Sequence, residues 1–190
     1  LLLRRWGQAK AGEGRVVLLS GEPGIGKSRL MAAVHERLRD EPHARPRYFC
    51  SPHHQDSPLY PLIARMEREA GFVRSDTIED RLNKLKAFLA PSAPAAEEVA
   101  LFASLLSIPT EGRYPVLVLS PQQWKVRMFT AIQQRLVNLA RRKPVLILFE
   151  DAHWLDPTSV ELLDAVIEQV PDLPMLLVVS FRPEFAAPWF

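Results

Sequence analysis

Residues 21–28 read Gly-Glu-Pro-Gly-Ile-Gly-Lys-Ser, and this stretch constrains the fold more than any other part of the chain. It fits the phosphate-loop pattern of Gly, any four residues, Gly, Lys, and then Ser or Thr. The backbone N–H groups of such a loop turn inward around a phosphate chain, and side chains at the bend would obstruct that approach. Gly21, Gly24 and Gly26 remove the obstruction, since glycine tolerates positive φ and close contact.

The residues on either side of the loop match the strand and the helix that such a loop requires. Residues 15–20 form an apolar run typical of a buried strand, and residues 28–40 are predicted to be helical. Leu30, Val34 and Leu38 would lie on one face of that helix. A bound phosphate would therefore sit at a helix N-terminus, where amide groups and the helix dipole favour anions. A simple glycine turn with an ordinary lysine would require neither neighbour.

The loop predicts a nucleotide site with ATP and Mg²⁺ as its ligands. Lys27 is expected to reach the β- and γ-phosphates, and the Ser28 hydroxyl is expected to ligate Mg²⁺. The predicted nucleotide-binding residues are those of the loop together with the residue that follows it: Gly21, Glu22, Pro23, Gly24, Ile25, Gly26, Lys27, Ser28 and Arg29.

Two carboxylates follow the hydrophobic strand predicted for residues 145–149. A phosphate-loop enzyme needs one acid for the metal shell and a second that can polarise the attacking water. We assign Glu150 to the metal, together with Ser28, and Asp151 to the water or base role. The reverse assignment fits the sequence as well, and an acidic turn after a strand is the structural alternative.

A cation and a hydroxyl mark the end of the last predicted strand, residues 175–181. Arg182 follows that strand directly, and strand ends are where open α/β sheets bind ligands. We predict that Arg182 acts with the two acids by sensing the γ-phosphate. Ser180 is a second polar candidate, and an exposed loop arginine is the alternative.

The strand pattern predicts an α/β fold of the P-loop NTPase class. Three of the four predicted strands are continuous apolar runs, which favour a parallel sheet with helices on both faces. The acid after strand 3 and the polar end of strand 4 indicate the additional-strand class, in which strand 4 lies between strands 1 and 3. Residues 47–51 form the second strand, and a helical insertion at about residues 58–142 separates it from the third.

Composition narrows the partners and the compartment. The net charge is +2, and no basic run is interleaved with aromatics, so direct binding to nucleic acid is not expected. A lone cysteine, Cys50, excludes an internal disulfide and fits a reducing compartment. His53 and His54 lie near it, but no second ligand pair completes a zinc site. The sequence contains no apolar run long enough to span a bilayer, so we expect a cytoplasmic protein.

Three residues after the acidic pair need separate interpretation. His153 either orients a carboxylate or a water, or simply packs in its loop. Trp154 is expected to fill the core rather than to contact nucleotide. Asp156 precedes a proline at the start of a predicted helix, so it is expected to cap that helix. Ser120, which precedes Pro121, is expected to cap an earlier helix in the same way.

Residues 150–156, Glu-Asp-Ala-His-Trp-Leu-Asp, resemble a signature of bacterial STAND-type ATPases, which are signal-transduction relatives of AAA proteins. The phosphate loop and the run Phe-Arg-Pro-Glu at residues 181–184 are similar to the same family. Residues 50–61 and 119–127 are most similar to the ATPase module that follows the cyclase domain in bacterial adenylate/guanylate cyclases and precedes TPR-like repeats. The resemblance covers nearly the whole chain.

The resemblance implies a regulatory switch that binds ATP or ADP, hydrolyses ATP slowly, and changes its contacts to a class III cyclase domain and helical repeats. A STAND-type transcription regulator and a non-hydrolysing nucleotide-binding scaffold are the alternatives. The chain lacks a Val-Gly-Arg-Glu-like stretch, a fifth strand and a helical lid, and it carries Glu150 where relatives often have Asp. We therefore expect residues 1–190 to be one core domain truncated at both ends, and we leave its oligomeric state open.

Overall fold

A computed structural model describes residues 1–110, 112–186 and 189 of the chain. In these residues the strands β1 (Arg15–Ser20), β2 (Arg47–Phe49), β3 (Val145–Glu150) and β4 (Met175–Phe181) form one parallel sheet with the order β1-β4-β3-β2. Strand β4 therefore lies between β1 and β3. The predicted α/β fold class, a P-loop NTPase of the additional-strand type, is confirmed.

The helices precede and separate these strands along the chain. They are α1 (Leu2–Lys10), α2 (Lys27–Arg37), α3 (Tyr60–Ala70), α4 (Ile78–Leu89), α5 (Ala96–Leu105), α6 (Pro121–Ala140) and α7 (Pro157–Gln169). Helices α3 to α6 form the predicted insertion between β2 and β3. In the described part of the chain, no helix combines the length and the apolar character needed to cross a bilayer.

Strand β2 is shorter than the sequence predicted, because Ser51 begins a different local structure. Its hydroxyl accepts a hydrogen bond from the N–H of His53 and caps the short 3₁₀ turn Pro52–His54. Pro52 favours this turn and cannot donate to a strand ladder. The ladder ends with the N–H of Cys50, which donates to the carbonyl of Glu150 at 3.0 Å.

The chain divides into two compact units. The first contains residues 1–61 and 137–190 and holds the whole sheet, and the second contains residues 62–136. Within the second unit, α4 and α5 bury Leu85, Leu89 and Phe102. The guanidinium of Arg135 lies 5.6 Å from the centre of the Phe102 ring.

The core of the first unit explains why the strands are apolar throughout. Helices α1 and α2 cover one face of the sheet through a cluster that contains Leu2, Trp6, Ala9, Met31, Val34, Leu38, Leu146, Leu148, Leu176 and Val178. Successive side chains of a strand point to opposite faces. The alternate residues Val145, Ile147, Leu177 and Val179 are also buried, so both faces of the central strands are covered.

Two predicted helix starts are confirmed by their capping bonds. The Ser120 hydroxyl accepts a hydrogen bond from the N–H of Gln123 at 3.2 Å, just before α6 begins. Asp156 is almost fully buried and accepts a hydrogen bond from the N–H of Ser159 at 2.9 Å. Asp156 also accepts one from the N–H of Leu59 at 3.2 Å, so this cap ties the chain after β2 to the start of α7.

Candidate nucleotide-binding site

The loop between β1 and α2 has the backbone that its glycines were expected to permit. Gly24 and Gly26 have φ values of 80° and 104°, in the left-handed region that favours glycine. A Cβ atom added at either position would meet no heavy atom within 4 Å. The space in front of the loop is therefore open, as a cradle for a ligand must be.

The first turn of α2 presents unused amide groups at this open space. Gly26 is the N-cap, and the first helical bond runs from the N–H of Leu30 to the carbonyl of Gly26 at 2.9 Å. The N–H groups of Lys27, Ser28 and Arg29 precede that bond, and helix geometry gives them no intrahelical acceptor. Amides in this position bind anions such as phosphate.

Lys27 folds back over the loop that precedes it. Its ammonium group donates to the carbonyl of Gly21 and, at 3.0 Å, to the carbonyl of Glu22. These bonds keep a positive charge beside the open amides. The loop therefore concentrates positive electrostatic potential from one side chain and one helix terminus at the same place.

The structure separates the two acids at the end of β3. Glu150 is 4% exposed, and its Oε1 atom lies 2.6 Å from the guanidinium of Arg47 on β2. Asp151 is half-buried and has left-handed backbone angles, φ 58° and ψ 46°. Asp is one of the residues that tolerate this region. The N–H of Asp151 donates to the Ser180 hydroxyl at 3.1 Å.

Arg182 leaves β4 toward the same edge of the sheet. Its guanidinium carbon lies 5.2 Å from the centre of the Trp154 ring, and its Nη1 atom lies 3.9 Å from a carboxylate oxygen of Glu184. About a third of the Arg182 side chain is exposed. The arginine therefore lies against an aromatic face and keeps access to solvent.

One cleft of about 290 Å³ collects most of these groups. Its lining residues are Pro23, Gly24, Gly26, Lys27, Ser28, Arg29, Asp151, Trp154 and Arg182. Glu150 is not among them, because its carboxylate is held by Arg47. Of the two acids, the one that shares the cleft with Lys27 and Ser28 is Asp151.

The expectation that Trp154 fills the core is wrong. Its side chain is only partly buried, and it forms part of the cleft wall. It lies on the 3₁₀ turn Ala152–Trp154, which begins at Asp151, so the chain reverses and returns the indole to the carboxyl edge of the sheet. The sequence signal that could have placed Trp154 at this site was its position three residues after Asp151, an acid at the end of a strand.

His153 and Ser180 support the site rather than face it. The ring of His153 lies 4.7 Å from that of Trp154, and its two nitrogens are buried with no hydrogen-bond partner in the described residues. This contact supports packing rather than a role in orienting a carboxylate. Burial lowers the pKa of His153 below its usual value. Ser180 is fully buried, and its hydroxyl accepts the bond from Asp151.

The donors in the cleft fit Mg²⁺ better than a softer metal. Mg²⁺ prefers oxygen ligands and is commonly held by one or two carboxylates together with substrate phosphates and water. Ser28 and Asp151 supply a hydroxyl and a carboxylate on the cleft wall. Among the described residues, no three His, Cys, Asp or Glu side chains group as a metal site.

Burial is the main cause that raises the pKa of the Cys50 thiol above its usual value, and the nearby charge of Asp151 raises it further.

The chain belongs to the AAA ATPase domain family, whose profile matches residues 1–179. It is also similar to an uncharacterized protein of Rhizobium meliloti (strain 1021), with 29% identity over 184 residues. That match covers 97% of this chain but 18% of the relative, so the chain spans about a fifth of the relative's length. Membership of this family identifies the fold as that of an AAA-type ATPase domain.

Proposed function

We propose that this chain is the Mg²⁺-dependent, ATP-hydrolysing switch module of a larger signalling protein. The observation that carries the proposal is the convergence of Lys27, Ser28, Asp151 and Arg182 on one cleft at the carboxyl edge of the sheet. Catalysis of phosphoryl transfer consists of positioning and charge stabilisation. The cleft supplies the groups that this chemistry requires, namely two cations, a hydroxyl that can ligate a metal, and an acid.

In this proposal, residues 21–29 bind the phosphate chain. The amides at the start of α2 would bind the β- and γ-phosphates. The ammonium of Lys27 would bind the same phosphates and would release the loop carbonyls that it contacts in this structure. Ser28 and an acid from the end of β3 would hold Mg²⁺. When bound, Mg²⁺ neutralises charge on the phosphate oxygens and orients them.

We place Asp151 nearest the phosphates, and we add to its expected water or base role the metal role that the sequence analysis gave to Glu150. The support is that Asp151 lines the cleft, whereas the Glu150 carboxylate is buried against Arg47. Asp151 would contribute to the metal shell and orient the attacking water. Glu150 would join the metal shell only after separating from Arg47, so the pair restrains it.

The proposed partners are other domains of the same polypeptide. The resemblance of residues 50–61 and 119–127 to the module that follows cyclase domains supports attachment to a class III nucleotide cyclase domain and helical repeats, with residues 1–190 as one core domain. A STAND-type transcription regulator with the same module is the alternative. We place the protein in the cytoplasm because its lone cysteine fits a reducing compartment.

A scaffold that binds nucleotide without turnover belongs to a different functional class. The half-buried Asp151, fixed in a left-handed conformation within the cleft, favours hydrolysis over that alternative. A carboxylate in this position can orient the attacking water, which a site that only binds nucleotide does not need. Single-turnover hydrolysis of ATP separates the two: a switch converts bound ATP, and a scaffold returns it unchanged.

Lys27→Ala tests the proposal directly. Charge-assisted hydrogen bonds contribute about 1.5–3 kcal/mol, so affinity for a fluorescent ATP analogue should fall about 10- to 150-fold. Lys143→Ala is the matched control, because Lys143 is exposed and precedes β3 at the opposite end of the sheet. Equal affinities for wild type and Lys27→Ala would refute the nucleotide site.

A further inference from the structure

Trp154 has no role in the proposed function so far, yet its ring faces the cation at the cleft. The Arg182 guanidinium carbon lies 5.2 Å from the centre of that ring, and both side chains line the cleft with Lys27 and Asp151. We propose that Trp154 is a positioning residue that holds Arg182 at the cleft wall for the terminal phosphate of a nucleoside triphosphate. This inference rests on the proposed function.

The chemistry of the contact leaves Arg182 ready to bind an anion. A guanidinium over an indole is attracted by the ring quadrupole, and tryptophan is the strongest aromatic partner for a cation. This attraction consumes none of the five N–H donors of the arginine. The ion-pair partner found in the described residues is Glu184, whose oxygen at 3.9 Å is beyond hydrogen-bond distance. The donors therefore stay available for the paired contacts that arginine makes with phosphate.

The indole is itself held by the turn that sets the acid. The backbone N–H of Trp154 donates to the carbonyl of Asp151 at 2.9 Å, and the half-buried ring of His153 packs 4.7 Å from the indole. Asp151 begins this turn with its left-handed backbone. The single turn after β3 therefore orients Asp151 directly, and it orients Arg182, which follows β4, through the indole.

A cation held in advance loses less conformational freedom when its ligand binds. Without the indole, the long side chain of Arg182 would sample more rotamers and would lose more of them on binding. That cost arises only when Arg182 binds the terminal phosphate. Loss of the ring should therefore weaken binding of the triphosphate and leave the diphosphate unaffected, which a purely structural role for Trp154 would not do.

The test measures dissociation constants for ADP and for a non-hydrolysable ATP analogue. Arg182→Gln should abolish the preference for the triphosphate. Trp154→Leu should reduce the preference about two- to fivefold, the effect of an exposed cation–π contact. Trp154→Phe should fall between Leu and wild type, because phenyl retains a weaker face. Trp124→Leu, a tryptophan outside the cleft, is the matched control.

The double variant Trp154→Leu/Arg182→Gln decides whether the indole acts through the arginine. If it does, the double variant matches Arg182→Gln alone, since coupled residues are not additive. Additive losses, or an unchanged preference in Trp154→Leu beside a reduced one in Arg182→Gln, would overturn the inference while leaving Arg182 its role. An unchanged preference in Arg182→Gln would remove that role and this inference, but not the nucleotide site tested by Lys27→Ala.

Discussion

The two ends of the sheet use glycine for opposite reasons. At the carboxyl end, Gly24 and Gly26 have positive φ values, and the space in front of them is open. At the amino end, a Cβ atom on Gly14 would lie 1.6 Å from the carbonyl oxygen of Val170. Gly24 and Gly26 therefore leave room for a ligand, whereas Gly14 allows two backbone segments to approach each other closely.

Backbone hydrogen bonding separates the two ends in the same way. At the amino end, the N–H of Gly14 donates to the carbonyl of Pro171 at 3.3 Å, and the N–H of Val145 donates to that of Pro174 at 2.9 Å. At the carboxyl end, the first amides of α2 remain for an anion. Substitutions at the amino end should therefore reduce stability, and those at the carboxyl end should reduce activity.

The largest expected effect is on the rate of ATP hydrolysis. It should distinguish Asp151, which lines the cleft, from Glu150, which lies outside it. Asp151→Asn should slow single-turnover ATP hydrolysis 100-fold or more, the usual contribution of a general base, with little change in melting temperature. Glu150→Gln removes a charge-assisted hydrogen bond to Arg47, whose side chain is partly exposed, so it should cost about 2 kcal/mol of stability and affect the rate less. A slow but fully stable Glu150→Gln variant would return the metal role to Glu150.

The next effect is a loss of stability at the amino end. Gly14→Ala forces a methyl group against the Val170 carbonyl and should cost about 3 kcal/mol, which lowers the melting temperature by roughly 6–12 °C. Gly7→Ala is the control, because a Cβ there meets nothing within 4 Å and alanine favours its helix. If Gly14→Ala melts like wild type, the two ends do not differ as described.

The smallest expected effect concerns Ser180, whose loss should reduce both stability and the rate of hydrolysis at the carboxyl end of the sheet. Ser180→Ala removes the acceptor for the N–H of Asp151 and should cost about 1 kcal/mol. It should also slow hydrolysis a few-fold, because the turn that orients Asp151 loses its anchor. Calorimetry and single-turnover assays, with the exposed Ser75→Ala as control, measure both. A change in stability without a change in rate would make Ser180 purely structural.

The parts of the fold that the sequence predicted well depend on short-range rules. The loop motif, the capping of α6 by Ser120 and of α7 by Asp156, and the apolar runs of β1, β3 and β4 all follow from neighbours within a few residues. The strand order also followed, because the acid after β3 and the polar end of β4 together indicate one arrangement. The end of β2 was missed because the cap formed by Ser51 competes with the strand.

By itself, the sequence determined the phosphate loop, the class of fold and most of the polar residues at the carboxyl edge of the sheet, but it placed Trp154 in the core. Only the tertiary structure decided how the groups at that edge divide. Glu150 is turned away from the cleft by Arg47, a partner 103 residues distant in the chain, and Trp154 meets Arg182 because β3 and β4 are neighbours. Such contacts depend on the direction of side chains across paired strands, and no local pattern encodes that direction.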